Sequence, residues 1–448
     1  QSCTLQVFYH GDLMTKNEDL AWMMSRSPDF WYPRYDGKNK QLYDLTFHVP
    51  SRLKFSSVGK KVSGVTQDDV ETSQWVTSKP IRNASFNMGY FKEFNVEGDT
   101  VPPVTVQISD YAHRKLSQEG LVPSGSNMEE DVGADVNESL RFYQRLFGKC
   151  AAERLYATEI PANHGEAFEG LIHLSWSTFQ LRGETGEEEI FRAHEVAHQW
   201  WGIGVDFKTY HDQWLSEAFS TYSGLWYMQA RLHNNDKFFD HLKNWKESIF
   251  SNRKFLFGSG QESGPIWLGN RTHSSATKGD YDLIIYKKGA WVLHMLRMML
   301  VDLKTMNEDK FQSILRKFYA TYAGSSASTT DFQRVVENEM GIDMSWFFKQ
   351  WVFDTQIPKY KFSYQVAEQP ADEQYKVSCK IEQSDVADDF QMPIPLYVDF
   401  GDNKFVRLRV IAKGPVSRID LPLLPMKPVK IVFNDMESVL CDVDYTDW

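Results

Sequence analysis

"FRAHEVAHQWWGIGV", residues 191–205, decides how the rest of the chain is read. It carries two histidines four apart, His194 and His198, a glutamate beside the first, and Trp200 and Trp201 after the second. Residues i and i+4 share one face of an α-helix, so a helix here sets two imidazoles side by side. Glu195 is turned about 100° from His194 and can flank a bound ion without ligating it. On these residues alone two readings stand. One is a metal site of the H-E-x-x-H kind. The other is an aromatic-rich core helix whose histidines are each satisfied by a hydrogen bond.

A catalytic zinc takes three protein ligands and keeps a fourth position open. The candidate third ligand is Glu217 in "WLSEAF" (214–219), separated from His198 by a spacer of 18 residues. Upstream, the acidic run Glu187–Glu189 suits the positive end of a helix, and Thr185 with Glu188 fits a capping box. A helix is therefore expected from there to about Gly202. A second helix is expected over about 213–233, folded back on the first by a short loop. Asp206 and Asp212 are candidate hydrogen-bond partners for the histidines.

The 448 residues exceed one ordinary core, so two or three domains are expected. A net charge of −11 without any Lys/Arg-rich block argues against a nucleic-acid surface. The most apolar stretch, "GAWVLHMLRMMLVDL" (289–303), is interrupted by His294 and Arg297. It falls short of the roughly 18 residues a membrane span needs and reads as a buried helix. Cys3, Cys150, Cys379 and Cys441 form no C-x-x-C pair. A Cys379–Cys441 disulfide and four ordinary thiols both remain open. Sequons at Asn83, Asn137 and Asn270 tilt the expectation toward a secreted or periplasmic location.

Periodicity divides the chain into three parts. Residues 1–109 alternate as strands punctuated by Gly and Pro. Residues 110–356 are mixed but mainly helical, beginning with "NMEEDVGADVNESLRFYQRLFG", in which Val132, Val136, Leu140, Phe142 and Phe147 fall on or near one face. Residues 357–448 return to short strands spaced as in a β-sandwich.

"HEVAHQWWG", the spacer and "WLSEAF" together resemble the M1 family of zinc aminopeptidases, which are gluzincins. "IIYKKGAWVLHMLR" (284–297) is similar to the family's Y-x-K-G-A segment, and "WYPRYDGKNKQLYDLTFHVP" (31–50) to its N-terminal β domain. The resemblance implies a multidomain α+β protein: an N-terminal β domain, a thermolysin-like, mainly helical catalytic domain and a C-terminal β-sandwich. It implies a smaller, three-domain bacterial type whose β domain is truncated at its N-terminus. It also implies one Zn2+ per chain on His194, His198 and Glu217, Glu195 as general base, Tyr286 as donor to the oxyanion, and peptide substrates.

The family grips the free α-amine of its substrate with the Glu of a G-x-M-E-N segment. The corresponding stretch here is "HGEAFEGLIHLS" (164–175). Glu169 keeps the acidic position, while Glu166, Phe168 and Gly170 stand where the family has Gly, Met and Asn. The expectation is that Glu169 pairs with the substrate ammonium and that the backbone of Ala167, Phe168 and Gly170 receives a substrate strand. The plain alternative makes Glu169 a turn or edge residue. The expected function is release of N-terminal amino acids from short peptides. The rivals are a zinc endo-type hydrolase with no need of a free amine, and a catalytically silent binding protein on the same fold.

Overall fold

The computed structural model describes residues 4–28, 30–34, 39–122, 128–180, 184–253, 262–369 and 374–448. Cys3 lies outside the described residues. The chain forms two compact units. The first comprises Gln1–Asp206, Ser223–His233 and Tyr322–Ser325, and the second Phe207–Tyr222, Asn234–Thr321 and Ser326–Trp448.

The first unit opens with antiparallel strands, among them the three-stranded sheet in which Val70–Val76 lies between Asp44–Pro50 and Lys60–Gln67. It then builds a five-stranded sheet from β1 (Lys92–Val96), β2 (Val104–Ile108), β3 (Leu155–Ile160), β4 (Glu166–Phe168) and β5 (Leu171–Ser175), in the order β4-β5-β3-β2-β1. β3 runs parallel to both β2 and β5, and β4 returns antiparallel along β5 at the edge. "VTVQI" and "LIHLS" are buried at every position, as strands covered on both faces must be. β1 and β2 precede residue 109, yet they hydrogen-bond into the sheet formed by strands after it. The boundary expected at residue 109 therefore falls within the reach of one sheet.

Helix α1 (Met128–Phe147) packs on this sheet. Its buried stripe is Val132, Val136, Leu140, Tyr143 and Phe147, a helical spacing of four, four, three and four. Tyr143 takes the inward place expected of Phe142, which is only half-buried. Asn137, one of the three sequon positions, is buried in the same helix.

Helix α2 (Glu187–Ala197) follows. Its N-cap is Gly186 in the left-handed region (φ 89°), with no side-chain cap. The capping box expected at Thr185 and Glu188 is thus replaced by a glycine turn. Helix α3 (Trp214–Leu232) begins in the second unit and ends in the first.

In the second unit, a π-helix (Tyr281–Lys288) runs directly into α4 (Gly289–Leu300). The C-terminal strands form a four-stranded and a three-stranded sheet. Phe362 of the first stacks on Phe433 of the second at 4.8 Å between ring centroids. That is the face-to-face packing expected of a sandwich. Cys379 and Cys441 are free, buried thiols, as is Cys150, so the disulfide left open by the sequence is not formed. Burial pushes the Cys150 thiol up to about 11 and that of Cys379 up to about 12. Among the described residues no helix is long and apolar enough to cross a membrane.

Candidate metal centre

Helix α2 is tied to α1 at two points. The Tyr143 hydroxyl donates to the Ala193 carbonyl at 3.1 Å, and Arg192 reaches Asp135 of α1 at 2.7 Å. Both anchors sit beside His194, so the helix cannot rotate without breaking buried hydrogen bonds. His194 and His198 lie edge to face along the helix with Nε2 atoms 3.0 Å apart.

The helix ends at Ala197, five residues before the expected Gly202. Gly202 adopts φ 95°, and the Val205 N–H closes a turn onto the Trp200 carbonyl at 2.7 Å. This early end has a chemical consequence. It folds the Trp201 carbonyl back to 2.9 Å from His198 Nδ1. A carbonyl oxygen only accepts, so Nδ1 carries the proton and Nε2 presents a bare lone pair. A main-chain carbonyl thus fixes the tautomer, the task that carboxylates often perform at metal sites. Asp206 and Asp212, the candidates from sequence, are engaged elsewhere. Asp206 holds Arg82 at 2.6 Å and Lys40 at 3.6 Å, and Asp212 accepts from the Thr329 N–H at 2.7 Å.

The third carboxylate is placed by helix packing. A Cβ at Gly224 of α3 would stand 2.6 Å from the Ile190 carbonyl oxygen of α2, so glycine allows the two helices to approach this closely. The Trp201 indole N–H adds a bond to Ser223 Oγ at 3.2 Å. Glu217 lies seven residues before Gly224, about two turns, and therefore on the same face of α3. The ligand atoms of His194, His198 and Glu217 lie within 4.8 Å of one another. Two neutral imidazole nitrogens and one carboxylate oxygen are a donor set that suits zinc with a position left open.

Glu195 is buried, and the main chain at Gly165 lies directly against it. A Cβ at residue 165 would be 2.2 Å from Glu195 Oε1, so a side chain there would displace the carboxylate. Tyr286 sits in the π-helix. Gly289, just past its end, is pressed on Ala218 of α3, where a Cβ would be 2.6 Å from the Ala218 Cβ. The residue after Glu217 is thus the one on which the tyrosine-bearing helix rests. Burial, and then the negative charge of Glu217, push the neighbouring Tyr281 phenol well above the usual tyrosine range, so it is a neutral hydroxyl.

The sequence model of the Peptidase family M1 domain matches residues 185–351, which hold both histidines, Glu195, Glu217 and Tyr286. The chain carries a Peptidase family M1 domain. It is 32% identical to the rice protein named Aminopeptidase M1-C over 327 residues, 70% of this chain and 34% of that protein. It is 26% identical to rice Aminopeptidase M1-D over 363 residues, 77% of this chain and 38% of that one. The crystal structure of Legionella pneumophila aminopeptidase A in complex with aspartic acid shares the fold, with a TM-score of 0.65 at 15% identity, over 90% of this chain and 45% of that one. The chain thus spans little more than a third of the length of the two rice relatives.

In this chain the stretch "HGEAFEG" forms a hairpin, with Glu169 and Gly170 (φ 70°) at its tip. Glu169 pairs with Lys79 at 3.3 Å. Burial raises its pKa, and Lys79 opposes that shift. The Phe168 side chain turns into the core with Tyr43, Val58 and Leu171. Gln199 accepts from the Gly170 N–H and donates to the Phe168 carbonyl, both at 3.0 Å. Two of the main-chain groups expected to receive a substrate strand are therefore already bonded. Glu166 is held by His173 Nδ1 at 3.0 Å. Gly165, Gln199, Gly224 and Tyr281 carried no signal in a single sequence, because each matters through a partner distant along the chain or through close approach of backbone.

Proposed function

We propose that this chain is a monozinc peptidase that releases N-terminal residues from short peptides. The observation that carries the reading is the His194–His198–Glu217 cluster, with Glu195 buried one residue from the first ligand. Zinc held there supplies a Lewis acid that polarises a carbonyl and acidifies water. Glu195 takes the proton from the attacking water and delivers it to the departing amine. Its position against the Gly165 main chain limits the directions its carboxylate can take, which favours one proton path. The Tyr286 hydroxyl donates to the oxygen on which negative charge develops, a contact worth about 3 kcal/mol in comparable sites.

A second reading is favoured by one observation. Glu169, at the position of the family's amine-gripping acid, already has a cationic partner in Lys79. If that pair persists with substrate bound, a free ammonium gains little there, and an endo-type peptidase results. The comparison of an aminoacyl-anilide with its N-acetylated counterpart separates the two. The aminopeptidase reading expects kcat/KM for the free amine to be higher by about 10-fold or more, as for a charge-assisted hydrogen bond. Turnover of the blocked substrate alone would overturn it in favour of the endo-type peptidase.

A further inference from the structure

The π-helix at Tyr281–Lys288 has a consequence for the reaction that the zinc motif does not contain. In an α-helix, residues five apart point about 140° away from each other. In a π-turn the backbone hydrogen bond closes from i to i+5, and residues five apart come round to the same side of the helix. The Gly289 N–H reaches the Ile284 carbonyl, five residues back, and Asp282 pairs with Lys287, also five apart, at 2.7 Å. Tyr281 and Tyr286 have this same spacing. Their rings meet edge to face with centroids 5.6 Å apart, and the Tyr286 hydroxyl lies near enough to the Tyr281 oxygen to oppose the rise of the Tyr281 pKa.

Packing holds the wide turn in place. Lys288, at its end, is fully buried and paired with Glu262 at 2.7 Å. Gly289 lies against Ala218, beside Glu217. π-turns are rare and often mark functional positions. In this chain the turn brings a second phenol to the side of Tyr286.

We propose that Tyr281 is a positioning residue for Tyr286: the π-turn sets its hydroxyl against that of Tyr286, so that the Tyr286 phenol is fixed in direction before substrate arrives. Tyr281 acts through Tyr286 and does not itself touch the reacting atoms. Fixing a donor in advance removes the reorganisation that would otherwise accompany the appearance of negative charge. The inference rests on the peptidase reading above for its role in the reaction, while the pairing of the two phenols stands independently of it.

The test uses the zinc-loaded full chain. Tyr281→Phe keeps the ring contact and removes only the hydroxyl. It is expected to lower kcat by about 10-fold with KM changed less than about twofold. The loss should vanish when the same change is made in a Tyr286→Phe background, because the two residues act as a unit. A rise in KM with kcat unchanged overturns the proposal, as does an equal loss in both backgrounds. The 13Cζ resonance of Tyr286, assigned by its disappearance in Tyr286→Phe, gives a readout that needs no turnover. It should shift in Tyr281→Phe while zinc content and the thermal midpoint stay as in the parent. If the parent hydrolyses no peptide substrate, the peptidase reading fails. An unmoved Tyr286 resonance sinks the positioning role whether or not the chain is active.

Discussion

Replacing Glu195 by Gln is expected to leave zinc at one per chain and to lower kcat/KM by about 10²–10⁴-fold, the range for removal of a general base. The substitution keeps the side chain's size, which matters because the Gly165 backbone lies directly against it. It removes the ability to accept and pass on a proton. Glu195 stands about 100° around α2 from His194, so it is not a ligand and its loss does not open the metal site. His198→Ala is the contrasting case. It deletes a ligand whose Nε2 lone pair is exposed by the Nδ1 bond to Trp201, and it leaves that buried carbonyl without its donor. Zinc and hydrolysis are both expected to be lost. Metal content by emission spectroscopy and kcat/KM on an aminoacyl-anilide separate the two variants. A fully active Glu195→Gln protein would remove the general base from the account.

Gly224→Ala is expected to weaken zinc binding by about 10-fold or more, although residue 224 is not a ligand. Two effects oppose each other. Alanine is the better helix former by about 1 kcal/mol. Its Cβ, however, would stand 2.6 Å from the Ile190 carbonyl oxygen, a backbone atom that cannot rotate away. Overpacking of this kind typically costs about 1–3 kcal/mol, so the clash outweighs the gain in propensity. The helices must separate, and Glu217, two turns up α3 from the contact, moves away from the two imidazoles. Isothermal titration of the stripped variant with zinc reads the change. An affinity equal to that of the parent would show that Glu217 is placed by something other than this helix contact.

What could be read from the sequence depended on how local the cause is. His194 and His198 share a face because the helical period is local, and α1 was legible from Val132, Val136, Leu140 and Phe147, although Tyr143 takes the place expected of Phe142. Glu217 was legible only because the spacer to "WLSEAF" resembles a family pattern; nothing in the spacing itself says that the loop brings the helices together. The early end of α2 was missed because it is set by the left-handed turn at Gly202, one glycine among 27. That end supplies the Trp201 carbonyl, a main-chain partner that no residue type announces. The Glu169–Lys79 pair joins positions 90 residues apart, which periodicity does not reach. "YDLIIYKKG" reads as an ordinary helix. Its π-turn accompanies packing of Gly289 on Ala218 and burial of the Lys288–Glu262 pair, both tertiary. The sheet that crosses residue 109 was hidden for a related reason: β1 and β2 look like their neighbours in the N-terminal strands, and only pairing with β3 tells them apart.

The most direct test of the metal-centred account is a zinc titration of the chelator-stripped full chain, with aminoacyl-anilide turnover read at each addition. The account predicts no turnover in the stripped protein and a linear rise that stops at one zinc per chain. Turnover that persists after stripping, or a protein that takes up no zinc, would contradict it.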